Sequence, residues 1–442
     1  MSDKYAVEYL SNWTKMRSNN SSDTSRKFFL EENDPPHPIW DFHDYDGTDI
    51  ALHDDKLCIN CEKKFGSLKC SRCKLIRYCS RECQLSHFKE HKHDCKIVHK
   101  LNEKIKAYEI ALRGGPIAPW DDNTYFGGIG GRERMNFYDY GNLGSWWPLL
   151  DPRNYCRTVH QLAEHIDSIN WDLNIQELWE KSTDLNLELC RVNVGDNQGR
   201  REQIPSYLLY LNRDDEAFQF IKWWTYDYSE KYRNGGEPLW EKGEFRFSEA
   251  GGTRFDDLCI EINSDGSEIE GFDFAAHGVP DHAVDSYGSI SNSYSLQHLV
   301  AMLVIKMRVI SKLKTQEKIA LQKTKIANDT SRLSIRQYLG IDHQIDLFNK
   351  YCTIINQTNK YMLHLLSAHG DTNEAVRYVD SQPYPQLSSF GSVEEAFFAY
   401  KNHSRHVART LNGYKQVEAY VNEHQLDQKE LDFTFKVYGG YF

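Results

Sequence analysis

The sequence predicts a mainly α-helical protein with a small metal-held module near its N-terminus. Three observations predict it. Between Cys58 and Cys95, seven cysteines and one histidine are spaced C-x2-C-x8-C-x2-C-x5-C-x3-C-x7-H-x3-C. Beyond residue 150, apolar residues recur three and four apart between Pro and Gly punctuation, which is the period of amphipathic helices. Only residues 235–295 break that pattern, with Phe245–Phe247 and Cys259–Ile262 readable as short strands, so β structure is expected as a minor irregular insertion.

In chain order, the first element is an arm. Ser18–Ser25 carries no apolar residue, and Pro35-Pro36 and Pro38 follow, so residues 1–50 are expected to be a flexible N-terminal arm. Trp40, Phe42 and Tyr45 could pack part of it onto the body.

Residues 54–97 form the metal-held module. Cys58, Cys61, Cys70, Cys73, Cys79, Cys83, His91 and Cys95 supply two full sets of four donors, as two structural Zn2+ ions require. Each C-x2-C pair suits a tight turn. Cys79/Cys83 and His91/Cys95, four residues apart, suit one face of a short helix. Among nearby histidines, His93 is two residues from Cys95, on nearly the opposite side of a helix. His87 lies two turns away, roughly 12 Å at ~1.5 Å per residue. His91 is the geometric choice. Spacing leaves open whether the half-sites join sequentially or interleaved. The competing reading, a disulfide cluster, lacks a secretory signal in its favour, since MSDKYAVEYLSNW has no apolar core.

Charge narrows the partners. From Lys56 to Lys96 the chain carries 11 Lys/Arg against 4 Asp/Glu, a balance of +7 within a whole-chain −11. Seven thiolates and two Zn2+ together contribute −3, so much of the basic excess offsets the clusters. The remaining −18 elsewhere argues against long-range attraction to nucleic acid or anionic membrane. Mean hydropathy is −0.67, and the apolar run Leu299–Ile305 is far short of the ~20 residues a span needs. Cys156, Cys190, Cys259 and Cys352 lack ligand spacing and are expected to be buried thiols. The compartment expected is intracellular, cytoplasm and/or nucleus.

Residues 98–232 are expected to be a helical, repeat-like domain. Lys96–Leu112 reads as a helix ending at Gly114-Gly115-Pro116. Residues 116–150 are loop-like and aromatic; GGIGG at 127–131 lacks the Lys-Ser/Thr of a phosphate loop and reads as a turn. Asp151-Pro152 opens a helix with Val159, Leu162, Ala163, Ile166 and Ile169 inward. A second carries Ile175, Leu178, Trp179, Leu185 and Leu189, and the turn at 195–199 leads to a third with Pro205 and Leu208, Leu209 and Leu211. Asn212–Trp224 is a fourth, with Phe218, Ile221 and Trp224 inward. Paired amphipathic helices joined by short turns suggest a TPR-like, solenoid-like array. Trp146-Trp147 and Trp223-Trp224 are expected to be core anchors rather than a ligand groove.

Residues 233–295 form the expected insertion. Its Asn263, Asp265 and Gly266 resemble part of a calcium loop, but Phe272 occupies the position where a bidentate Glu is needed. Residues 296–442 form a C-terminal helical region: Leu296–Ala327 with a Lys-rich, solvated second half, then Gln344–Ala368, Ser392–His403 and Ala408–Val421. The aromatic tail Phe433–Phe442 would close as a strand or a docked terminus.

The finger residues resemble the MYND-type zinc finger, through the two C-x2-C knuckles, Tyr78-Cys79, Cys83-Gln84 and the closing His91-Lys92 to Cys95. The resemblance covers about 40 residues. It implies interleaved sites, one on Cys58, Cys61, Cys79 and Cys83, the other on Cys70, Cys73, His91 and Cys95. It also implies docking of short, typically proline-rich partner segments along a groove lined by Gln84 and by Phe88, which stands where the family has Trp. DNQGRR, YLNRDDEAF, FIKWW and PYPQLSSFGSVEEAF are similar to uncharacterised MYND-finger proteins of fungi and protists.

The function expected is a zinc-binding adaptor for protein partners, and not an enzyme. Two alternatives stand beside it. A SET-MYND-like protein-lysine methyltransferase rests on Asn402-His403-Ser404, but Arg405 follows where that family has Cys. A DNA-associated transcriptional regulator rests on the basic finger. A RING-like ligase fits less, because the only histidine is seventh of the eight ligands. No nucleophile–base pair, open metal position or nucleotide motif supports catalysis.

Overall fold

A computed structural model of the chain describes residues 58–61, 63–115, 136–138, 146–173, 175–193, 196–222, 295–324, 336, 340–367, 388–426, 431 and 433. The expected N-terminal arm, the GGIGG turn, Trp223-Trp224, the insertion with Cys259 and its two candidate strands, and most of the aromatic tail lie outside these residues. The described residues divide into two compact units, 58–211 and 212–433.

The first unit opens with a two-stranded antiparallel ladder, β1 (Leu68–Lys69) and β2 (Arg77–Tyr78), pairing Leu68 with Tyr78 and Lys69 with Arg77. Helices α1 (Arg81–Ser86), α2 (Phe88–Leu112), α3 (Leu150–Leu173), α4 (Gln176–Val192) and α5 (Ile204–Tyr210) follow. Neighbours in sequence are neighbours in space: α2 packs on α3, α3 on α4, and α4 on α5.

Helix α2 buries Val98, Leu101, Ile105, Tyr108 and Leu112, a three–four spacing that keeps one stripe against α3. It stops because Gly114 takes φ 84°. The Gly115 N–H then donates to Ile110 O (2.9 Å) and the Gly114 N–H to Ala111 O (3.0 Å), a Schellman closure. Helix α3 presents Val159, Leu162, Ala163 and Ile166, all 1% exposed or less, as their spacing predicts. It begins at Leu150, so Asp151 sits inside its first turn rather than capping it, and Pro152 is its third residue rather than its first.

Helix α4 buries Leu178, Trp179, Leu185 and Leu189, with Ile175 as its N-cap. Trp179 stacks on Tyr210 at a centroid distance of 4.3 Å. Trp146 is fully buried and its indole N–H donates to Phe137 O (3.1 Å). It is a core anchor, as expected of a large aromatic with a satisfied polar handle. The Asp196 carboxylate accepts from the N–H groups of Arg200 (2.7 Å) and Arg201 (2.9 Å), forming the turn before α5, and Pro205 lies in the first turn of α5.

The second unit comprises α6 (Asp214–Lys222), α7 (Leu296–Thr324), α8 (Ile341–Thr358), α9 (Met362–Ser367), α10 (Val393–Ala408) and α11 (Gly413–Glu423). Helix α7 is its axis, touching α6, α8, α10 and α11. Residues 296–313 are buried on every side, not on one stripe. Lys306, Arg308 and Lys312 are thus core residues, whereas Lys314 and Lys318 do face solvent. Arg308 is paired with Asp214 of α6.

The single helix expected over Gln344–Ala368 is two helices. Asn359 turns to extended backbone at φ −151°, and its amide donates to Ser392 O (2.8 Å) and Glu395 Oε2 (2.9 Å). Its Oδ1 also accepts from the Tyr361 N–H (3.1 Å), a local bond of the kind that competes with helix continuation. Helix α10 starts on a Ser392 cap that accepts from the Glu395 N–H (3.2 Å), and it runs five residues past the expected His403. His403 is fully buried within it. Helix α11 starts at Gly413, five residues after the expected Ala408, where a Cβ would lie 2.2 Å from Val407 O.

Cys156, Cys190 and Cys352 are buried free thiols, each pushed up by burial. Among the described residues, no helix is long and apolar enough to cross a membrane.

Candidate metal centre

The ladder organises both ligand sets. Cys70 and Cys73 sit in the turn between β1 and β2, closed by Cys70 N–H to Ile76 O (2.9 Å) and Lys74 N–H to Cys70 O (2.9 Å). Cys58 and Cys61 form a second turn, tied to β2 by the Ile59 N–H donating to Arg77 O (3.1 Å). Cys79 follows β2 directly. Ser80 caps α1, its hydroxyl accepting from the Cys83 N–H (3.3 Å), which places Cys83 on the first turn. Only Cys83 of that pair is helical, so Cys79/Cys83 do not share a helix face as their spacing suggested. His91 and Cys95 do, on the opening turns of α2.

Two clusters result, Cys58/Cys61/Cys79/Cys83 and Cys70/Cys73/His91/Cys95, and within each the donor atoms all lie within 4.8 Å of one another. The sulfurs are 3.8 Å apart for Cys61–Cys79, 3.5 Å for Cys79–Cys83 and 3.7 Å for Cys70–Cys95. Cys73 Sγ lies 3.4 Å from His91 Nε2. A tetrahedral ion with Zn–S of about 2.3 Å and Zn–N of about 2.0 Å has S–S edges near ~3.8 Å and an S–N edge near ~3.6 Å. A disulfide would need ~2.05 Å. The spacing is that of a coordination shell, and the donors fit two zinc ions joined in the interleaved order.

The second set is closed, with Cys70, Cys73 and Cys95 buried and His91 8% exposed. Its imidazole is held in place by His87, stacked at 5.8 Å and 12°, and by Tyr78, edge-on at 6.3 Å. The His87 Nδ1 is itself 3.0 Å from Tyr78 Oη. Burial, then the neighbouring His87, keep His91 below the usual imidazole range, so its neutral ring can donate a lone pair. His93 is exposed.

The thiols cannot all ionise by themselves. Hydrogen bonding with Cys83, then burial, push Cys79 up to about 12, and burial pushes Cys95 up to about 12. Cys58 is lowered to about 6: against the burial penalty, the backbone at Cys79, Cys61 and Asn60 favours its thiolate. A full set of thiolates requires a divalent cation at its centre.

This metal-binding segment matches the family model described as the MYND finger over residues 58–95. Residues 58–95 are a MYND zinc finger. No solved structure matches the chain. The MYND finger is built into its unit rather than tethered to it. Helix α2 carries His91 and Cys95 at one end and packs on α3 with the rest. Arg77 Nε lies 2.9 Å from Glu177 Oε2 of α4, and Lys69 pairs with the same carboxylate. His165 Nε2 of α3 lies 3.2 Å from Asp94 Oδ1.

Spacing found every ligand but none of these supports. Glu177 is about 100 residues from Arg77 in sequence, and nothing in its neighbourhood marks it. Of the groove residues, Gln84 is half-buried on α1 and Phe88 is 51% exposed at the start of α2. Phe65, Leu68 and Leu85 of the finger are also exposed.

Proposed function

We propose that this protein is an interaction adaptor whose MYND finger docks short, proline-rich partner segments on the surface bearing Gln84 and Phe88. The observation that carries this is the pairing of two complete four-donor metal sets with exposed apolar side chains on the same 38-residue segment. Complete sets leave no coordination position for water or substrate, so the zinc is structural and the chain is read as a non-enzyme. Large apolar residues left exposed on a rigid scaffold suit a partner. The helices behind the finger, read as a TPR-like array, supply a second surface, and the resemblance to fungal and protist MYND-finger proteins fits this without adding an activity. The reading places the protein inside the cell, in cytoplasm and/or nucleus.

Affinity capture with the intact protein and with Gln84→Ala/Phe88→Ala tests it, both preparations being checked for equal zinc content. Loss of a defined set of partners from the variant is the expected result. The same partners at the same recovery would remove the finger surface from the account.

A further inference from the structure

The junction between α1 and α2 carries a charge pattern that names the class of segment this surface takes. His87 keeps right-handed helical dihedrals, φ −80° and ψ −4°. The His87 N–H donates to Cys83 O (3.1 Å), closing α1, and the His91 N–H to His87 O (3.0 Å), opening α2, so His87 caps both helices. Arg81 and Leu85 lie four apart on α1, and Phe88 and Lys92 four apart on α2, so each pair shares a face of its own helix. Cys83, on α1, and His91 and Cys95, on α2, carry metal donors on the same two helices.

All four are exposed, Leu85 at 64% and Phe88 at 51%. The Lys92 ammonium lies 5.9 Å from the centre of the Phe88 ring. Lys89 and Lys96 of α2 are exposed as well, as are the acids Glu82 and Glu90. Two exposed apolar side chains thus lie among four exposed cations, which outnumber the two exposed acids, on a basic segment of an acidic chain.

We propose that this surface docks an acidic peptide segment. Leu85 and Phe88 hold its apolar anchor, and Arg81, Lys89 and Lys92 pair with carboxylates on either side. The proposal rests on the docking reading above and adds the charge of the partner. A nucleic acid fits this surface less well, because its phosphates have no use for the exposed Leu85 and Phe88.

The test uses the full chain loaded with zinc and three labelled peptides that share a Pro-Pro-Leu-Phe centre, flanked by Glu, by Gln or by Lys. Fluorescence anisotropy reads binding across a salt series, with a short DNA duplex alongside. The Glu peptide should bind tightest, and the preference over Gln should shrink with salt. Lys89→Gln/Lys92→Gln, with zinc content unchanged, should weaken the Glu peptide about fivefold to tenfold and leave the Gln peptide unaffected. Phe88→Ser should weaken both.

Equal binding of all three peptides, unaffected by the lysine variant, overturns the acidic preference while leaving the docking reading intact. Tighter binding of the duplex than of any peptide, lost in the lysine variant, also overturns it. No binding of any peptide by zinc-loaded protein overturns both readings together.

Discussion

Asp167, on α3, is a half-buried carboxylate with one oxygen shut off from water. The Tyr207 hydroxyl donates to its Oδ2 (2.8 Å), while Oδ1 is buried without a hydrogen-bond partner. Burial raises it to about 6, against the opposing hydrogen bonds from Ser182 and Tyr207. Its folded value exceeds its unfolded value, so the folded state holds the proton more tightly. Its contribution to stability is fully present below about pH 4 and is lost as pH rises to about 6. The wild type should therefore lose up to roughly 3 kcal/mol across that window relative to Asp167→Asn. Denaturant unfolding of both proteins at several pH values measures the difference. A difference that does not change with pH would contradict the assignment.

Some residue-scale roles were legible and some were not. His91 stood out from His87 and His93 because ligand spacing on a helix is a local rule. The role of His87, stacked on His91 and bonded to Tyr78, was not legible, since it depends on β2 lying against α2. Asp167 was invisible for the same reason: its environment is assembled from three helices.

At the scale of elements, the ladder and α2 fix the finger to the helices. Glu177 accepts both Arg77 and Lys69, with side chains 25–34% exposed. Solvent screens such pairs, so together they contribute about 1 kcal/mol. Glu177→Gln should lower stability by about that much, the loss should shrink in high salt, and hydrogen exchange should quicken at β1 and β2 with both zinc ions retained. Unchanged exchange at the ladder would show that the pair does not hold the finger.

Helices α3 and α4 were legible because each buries one stripe and exposes the other. Helix α7 was legible in its span and in its repeat of Leu299, Leu303, Ile310 and Leu313, but not in its burial on all sides, which takes Lys306 and Arg308 into the core. The break at Asn359 was missed because it depends on Ser392 and Glu395, more than 30 residues away. Capping and turn chemistry acts over a few residues, while packing does not.

Across the whole molecule, two zinc ions are matched to half-sites that alternate along the chain. That arrangement knots the two turns, the ladder and the head of α2 into one unit, so that what the finger presents is set by the same residues that bind metal. Zinc stoichiometry of the intact Cys61→Ser/Cys79→Ser protein, read by native mass spectrometry, tests it most directly. Both substitutions fall in one cluster of the interleaved arrangement, leaving Cys70, Cys73, His91 and Cys95 whole. The account predicts that the unsubstituted chain carries two zinc ions and the variant keeps one. Sequential pairing would place the two substitutions in different sites, and a variant that binds no zinc would contradict the interleaved centre.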